Sequence, residues 1–210
     1  MRTVIILLLL ISSFYAASAD YSTLPCSDKS TMKERISCQI NLPEETIKSV
    51  GYMPEQCNAL ATTFSTSKLD SCISDYKLYQ SCLYFTDDVQ RDSCIRPKLH
   101  LGTSTSIDVS QCNAKPGAYK ALCLQNLRDN TYKLALFRMN VLSYKVEKMT
   151  ELGFNKEDGL NFLVILEESK IKFNSAPSLI YKQSSVDELN SKWGQFKTSA
   201  TKQLMPSASS

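Results

Sequence analysis

The chain has 210 residues, with 24 Lys/Arg against 21 Asp/Glu in interleaved positions, for a net charge of +3. Phosphate binding needs a clear basic excess, so this balance argues against nucleic acid as the main partner. The composition also holds a single histidine, His100, too few for a His-centred zinc site and a thin supply of general base for a Ser or Cys nucleophile.

Arg2, the apolar run Val4 to Ile11 and the small-residue triplet Ala17-Ser18-Ala19 have the pattern of a secretory signal peptide over residues 1–19. That run is too short to cross a bilayer, which takes about 20 residues, and so is the densest later one, Leu160 to Leu166. The mature chain is therefore expected to be secreted and extracellular, to begin near Asp20 and to lack a transmembrane segment. Its eight cysteines, Cys26, Cys38, Cys57, Cys72, Cys82, Cys94, Cys112 and Cys123, form an even set in an exported chain. They predict four disulfides, whose pairing the spacing alone leaves open.

Helix follows helix along the sequence. Thr31 and Glu34 have the spacing of a capping box, and Met32, Ile36 and Ile40 follow at four-residue steps. Pro43 with Glu44 and Glu45 predicts a second start and Gly51 its stop. After Pro54, residues Cys57, Leu60, Ala61 and Phe64 fall on one helical face. The next helix is marked by Leu69, Cys72, Ile73, Tyr76, Tyr79 and Leu83. Cys72 and Cys82 on it would stand about 15 Å apart along the axis, too far to bond each other, so each must reach a different neighbour.

Thr86 before Asp87 and Asp88 reads as a cap and an acidic first turn leading to Cys94, and from Pro97 to Gly117 the periodicity fails, which predicts a loop. Ala118 to Leu152 is the longest helical stretch, with Cys123, Leu127, Leu134, Phe137, Val141 and Tyr144 on its seam and Gly153 as its stop. Asn155 caps a helix whose segment Leu160 to Leu166 is apolar nearly all round, which predicts a central place in the core. Asn174 to Pro177 interrupts, and Ser185 with Glu188 predicts a further capping box before Leu189, Trp193, Phe196, Ala200 and Leu204. The expected fold is all-α: a cysteine-rich, disulfide-stapled helical part over residues 20–117, a cysteine-free-ended helical part over 118–205 packed on it, and a frayed tail at 206–210.

The chemistry-bearing patterns are few. The shortest cysteine spacing has nine residues between the pair, which fits neither the C-x₂₋₄-C of a zinc site nor a redox C-x-x-C, so neither metal nor cofactor is expected. Asp87-Asp88 and Glu167-Glu168 are adjacent pairs that would point about 100° apart on a helix, reading as helix-start acids and a solvated face rather than a catalytic pair. Arg138, Lys145 and Lys148 share a face that could meet sulfated glycans or acidic headgroups, with an ordinary solvated face as the plainer reading. Tyr76 and Tyr79, with Phe162 further on, are the candidates for the wall of an apolar ligand pocket; the plainer reading is core.

A signal peptide followed by C-x₁₁-C and widely spaced cysteines on short amphipathic helices resembles the secreted cysteine-rich helical domains of unknown function found in nematodes, over about Cys26 to Cys123. The resemblance implies an extracellular place and assigns no enzymatic residue. The C-x₃-C and C-x₈-C spacings of insect odorant-binding proteins are absent. Two functions are expected ahead of a secreted hydrolase: a non-enzymatic interaction protein whose partner is an extracellular protein or surface, or a carrier of a small apolar ligand.

Overall fold

A computed structural model of the chain describes residues 24–43, 45–46, 53–61, 66–102 and 108–205. The expected signal peptide, most of the helix expected from Pro43 to Gly51 and the expected tail lie outside them. The described residues form eight helices and no strand: α1 (Met32–Gln39), α2 (Glu55–Ala61), α3 (Thr66–Leu83), α4 (Asp88–Lys98), α5 (Ser110–Asn113), α6 (Gly117–Glu151), α7 (Lys156–Ser175) and α8 (Leu179–Leu204).

Local chemistry sets most boundaries. At α1 the capping box is complete: the Glu34 amide donates to Thr31 Oγ1 at 3.2 Å and the Thr31 amide to Glu34 Oε2 at 3.0 Å. At α7 Asn155 Oδ1 accepts from the Glu157 and Asp158 amides, and Gly153 before it adopts a left-handed φ of 102° that ends α6. At α4 the cap is Asp87, which accepts from the Gln90 amide at 2.8 Å, one residue later than Thr86.

Two expectations fail. The expected loop begins too early, because α4 runs through Pro97 to Lys98. The proline sits in the last turn, the turn is closed by His100 at φ 53°, and the Arg96 guanidinium donates to the Gly102 and Leu101 carbonyls. Within the rest of that segment Ser110–Asn113 forms the short helix that carries Cys112. The second failure is the box at Ser185, which lies well inside α8. Its hydroxyl donates back to the Tyr181 carbonyl at 2.9 Å, and Glu188 pairs with Lys172 and Lys192 instead of reaching a backbone amide. The helix starts earlier, at Ser178, directly after the Pro177 break.

The four disulfides join consecutive cysteines: Cys26–Cys38, Cys57–Cys72, Cys82–Cys94 and Cys112–Cys123, with Cα atoms 5.4 to 5.8 Å apart. Cys72 and Cys82 do share α3 and do reach different elements, α2 and α4 respectively. Each bond closes a span of only 11 to 15 residues, so the staples fix local hairpins.

The hub is α7, which packs against α1, α2, α6 and α8. The apolar run expected to be central supplies Phe162, Leu163 and Leu166 to the larger core, with Ile36 of α1, Met139 and Val146 of α6, and Leu189 and Phe196 of α8. Full burial of such a side chain stabilises by roughly 1.5–3 kcal/mol. A second core joins Tyr79 and Leu83 of α3 to Ile95 of α4 and to Leu134, Phe137 and Val141 of α6. A third, smaller one holds Met53, Cys57, Leu69 and Ile73 beside the α2–α3 staple. Gly159 lets α6 and α7 approach closely: a Cβ there would stand 2.5 Å from Thr150 Cγ2.

Candidate functional site

The seam between the stapled α2–α3 pair and the α6–α7 pair opens into two clefts. Both begin with the helical period. On α6, Leu136, Asn140, Ser143 and Glu147 recur at steps of four, three and four, one stripe that is polar from Asn140 onward beside the apolar seam. On α7, Leu163, Leu166, Lys170 and Phe173 recur at three, four and three, so Lys170 occupies an apolar slot. It is only 1 % exposed.

A buried ammonium is tolerable only when every proton has an acceptor. Lys170 Nζ has three, Asn140 Oδ1 at 2.8 Å, Ser143 Oγ at 3.1 Å and Glu167 Oε1. Asn140 is held in turn by donating to the Leu136 carbonyl at 3.0 Å. The closeness of Ser143 and Lys170 has the outline of a nucleophile and base. With all three protons donated, however, the lysine has no lone pair to accept a fourth. Glu167, expected on a solvated face, is instead turned inward to Lys170, while its neighbour Glu168 is exposed. The helical twist between adjacent residues separates them as predicted, but α7 is buried on the side Glu167 takes.

The first cleft, of about 310 Å³, is walled by α1, α2, α3, α6 and α7. Tyr76 lines it, accepting from Gln80 Nε2 at 3.5 Å. Glu55 on its wall receives a two-pronged contact from Arg35, with Nε to Oε1 at 2.7 Å and a second guanidinium nitrogen to Oε2 at 3.1 Å. Half-buried Glu147 lines it too, and burial pushes its carboxyl up to about 7, with Glu151 and Glu167 adding to the rise and Lys170 and Lys148 opposing it. Gln56 is 3 % exposed, and its Oε1 has no hydrogen-bond donor among the described residues.

The other cleft, of about 630 Å³, lies between α2, α3, α6 and α7. Its wall includes Leu60, Leu136 and Ile171, the Cys57–Cys72 staple through Cys72, Gln56 again, and Tyr79. Tyr79 has no exposed surface, and its ring leans on Phe137 with centroids 6.0 Å apart. Its hydroxyl has no hydrogen-bond partner among the described residues. Burial, and then the nearby Asp75 carboxylate, push that hydroxyl well above its ordinary pKa, so it stays neutral. Asp75 itself is tied across the seam to Lys133 at 2.8 Å.

Tyr76 and Tyr79 thus stand on one helix but line different clefts. Phe162 joins neither: it is packed in the larger core, stacked on Phe196 with centroids 4.3 Å apart and tilted against Trp193. A third opening, of about 610 Å³ between α4, α6 and α8, has Phe137, Val141 and Trp193 under a charged rim. The shared basic face, of which Arg138 and Lys145 line this opening and Lys148 the first cleft, loses its charge pair by pair. Arg138 meets Asp92, Lys145 meets Asp88, and Lys148 meets Glu151.

Lys170, Asn140, Glu147 and Gln56 were not candidates from the sequence. One signal was there for Lys170, a charge in register with Leu163, Leu166 and Phe173. His100 is exposed. Among the described residues no group of three or more His, Cys, Asp or Glu is placed to hold a metal, and no helix is long and apolar enough to cross a membrane. No protein-family model, curated protein or solved structure significantly matches the chain.

Proposed function

We propose that the protein is a secreted binding protein that carries a small, largely apolar molecule in the α2–α3/α6–α7 cleft, without catalysing a reaction on it. The observation that carries this reading is the Tyr79 hydroxyl: fully buried, neutral and unpartnered among the described residues, in the wall of a cleft of about 630 Å³. A buried hydroxyl left unpaired costs about 1–3 kcal/mol. An apolar wall with one or two convergent polar groups is the usual make-up of a small-molecule site. The ligand that suits it is apolar along Leu60, Leu136 and Ile171 and carries one uncharged hydrogen-bonding group for Tyr79. Four disulfides and the expected leader support an extracellular place.

The test is solvent extraction of the secreted, disulfide-intact protein with mass spectrometry of the extract, followed by titration of the stripped protein with a fluorescent fatty acid. A co-purifying apolar molecule, or probe binding that Tyr79→Phe weakens, is the expected result. An empty protein that also ignores the probe would overturn the reading. A second reading, an interaction scaffold for another extracellular protein, is favoured by Leu179, Ile180 and Tyr181, three consecutive exposed apolar residues opening α8. Replacing them by serine would abolish partner capture and leave probe binding untouched.

A further inference from the structure

We propose that the first cleft, between α1–α3 and α6–α7, is a separate binding site for a small organic cation bearing a primary ammonium group, held between the Glu147 carboxylate and the Gln56 side-chain oxygen. It goes beyond the apolar-ligand reading and does not depend on it.

The argument is an inventory of unmet hydrogen-bonding capacity. Of the four glutamates among the described residues that line the cleft, Glu55 is satisfied by Arg35, Glu151 by Lys148 and Glu167 by Lys170. Only Glu147 has neither an ion pair nor a side-chain hydrogen bond among the described residues. The independent second vacancy is Gln56 Oε1, on a side chain of α2 that lines the same cleft and is 3 % exposed, an acceptor with no donor among the described residues. Both vacancies are acceptors, so the missing group is a donor. An ammonium brings three N–H donors and the positive charge that Glu147 lacks.

An anion fits badly. The buried lysine of the cleft has already given its three protons to Asn140, Ser143 and Glu167, and the remaining free charge is negative. A neutral alcohol offers one proton for two acceptors and leaves the carboxylate uncompensated. Tyr76 and Leu83 supply an apolar flank for the body of the ligand, and about 310 Å³ lies at the small end of ligand sites.

Protonation follows from the same geometry. The groups facing Glu147 are Lys170 and Glu167 from α7 and Lys148 and Glu151 on its own helix; Glu55, paired with Arg35, lines the cleft from α2. These pair with one another, so Glu147 is the group whose charge changes near neutrality, where burial places it at about 7. Ammonium binding holds it ionised and releases its proton. Affinity therefore rises as pH rises through 7.

The experiment is isothermal titration of the full disulfide-intact protein with phenethylamine, and with 2-phenylethanol and 3-phenylpropionate as the neutral and anionic analogues. Phenethylamine binding should strengthen roughly twentyfold between about pH 5.5 and 7.5, with proton release revealed by two buffers of different ionisation heat. The alcohol and the acid should bind at least about tenfold more weakly. Glu147→Gln should weaken the amine and remove the pH slope, while Gln56→Leu should weaken it several-fold and keep the slope. Tyr79→Phe should leave amine binding unchanged, which separates this site from the apolar cleft. Equal binding of amine and alcohol, absence of amine binding at millimolar concentration, or an unaltered slope in folded Glu147→Gln would each overturn the proposal, leaving a cleft occupied by water only.

Discussion

Tyr79→Phe removes a single oxygen from the middle of the protein, and the sign of its effect is diagnostic. The ring keeps its place against Phe137 and among Leu83, Ile95 and Val141, so the packing contribution is unchanged. A hydroxyl with a good partner normally contributes about 1 kcal/mol, and its loss destabilises by that amount. The Tyr79 hydroxyl has no partner among the described residues, so its burial costs about 1–3 kcal/mol, and the phenylalanine relieves that cost. The stripped variant should therefore be more stable than the parent by about 1 kcal/mol or more, a rise of roughly 2–4 °C in Tm for each kcal/mol in a chain of this size. Ligand affinity should move the other way, falling about two- to tenfold as one hydrogen bond is lost. Calorimetric melting of extracted protein, with and without the fatty-acid probe, measures both. A stripped variant that melts several degrees lower would refute the reasoning, because it would mean that the hydroxyl already has a partner such as a trapped water.

Three further tests address other parts of the structure. Gly159→Ala drives a Cβ to 2.5 Å from Thr150 Cγ2 and should cost about 1–3 kcal/mol in urea unfolding, despite alanine's better helix propensity. Adding Thr150→Ser, which removes the methyl group but keeps the hydroxyl that donates to the Glu147 carbonyl, should recover most of that loss. The folded-state value of Glu147, raised from 4.5 to about 7, means that the native state holds a proton the unfolded state releases. Stability should then fall as pH rises from about 4.5 to 7, and Glu147→Gln should gain up to about 3 kcal/mol at pH 8 and nothing at pH 4, read from urea midpoints. Cys82→Ala with Cys94→Ala opens a span of 12 residues and should cost about 3 kcal/mol, with the helix content of the native state retained.

How far the sequence carries depends on the range of the interaction. Thr31 with Glu34, Asn155 with Asp158 and Gly153 act within one turn, and each does what its spacing predicts. Ser185 with Glu188 has equally good letters and fails, because a capping box requires a chain that enters from outside the helix. Leu179 to Ser184 already continue α8 upstream, leaving the hydroxyl to bond the preceding turn. The central place of α7 was legible from an apolar run with no polar face. The clefts were not, because they depend on which faces of α2 and α3 meet α6 and α7. Periodicity places Tyr76 and Tyr79 on a half-buried helix, but it cannot say that one lines the polar cleft and the other the apolar one. Nor does it say that Phe162 is spent on the contact with Phe196.

The pattern of staples bears directly on how such clefts would fill. Cys57–Cys72 locks α2 to α3, and Cys82–Cys94 locks α3 to α4, so the wall carrying Gln56, Tyr76 and Tyr79 is a covalently braced unit. No disulfide joins that unit to α6 or α7. Across the seam run apolar contacts such as Tyr79 with Phe137, and the Asp75–Lys133 pair, whose partly exposed geometry is worth about 1 kcal/mol or less. Rigid walls joined by non-covalent contacts alone can part without either wall unfolding, which gives a ligand a way in to a buried hydroxyl. Amide exchange measures this: the α2–α3 unit should open as one block, at a lower free energy than α6 and α7, and a bound ligand should slow it. If α2 and α3 exchange only with global unfolding, and ligand leaves them unchanged, the wall does not move and entry must come through the static mouths of the clefts.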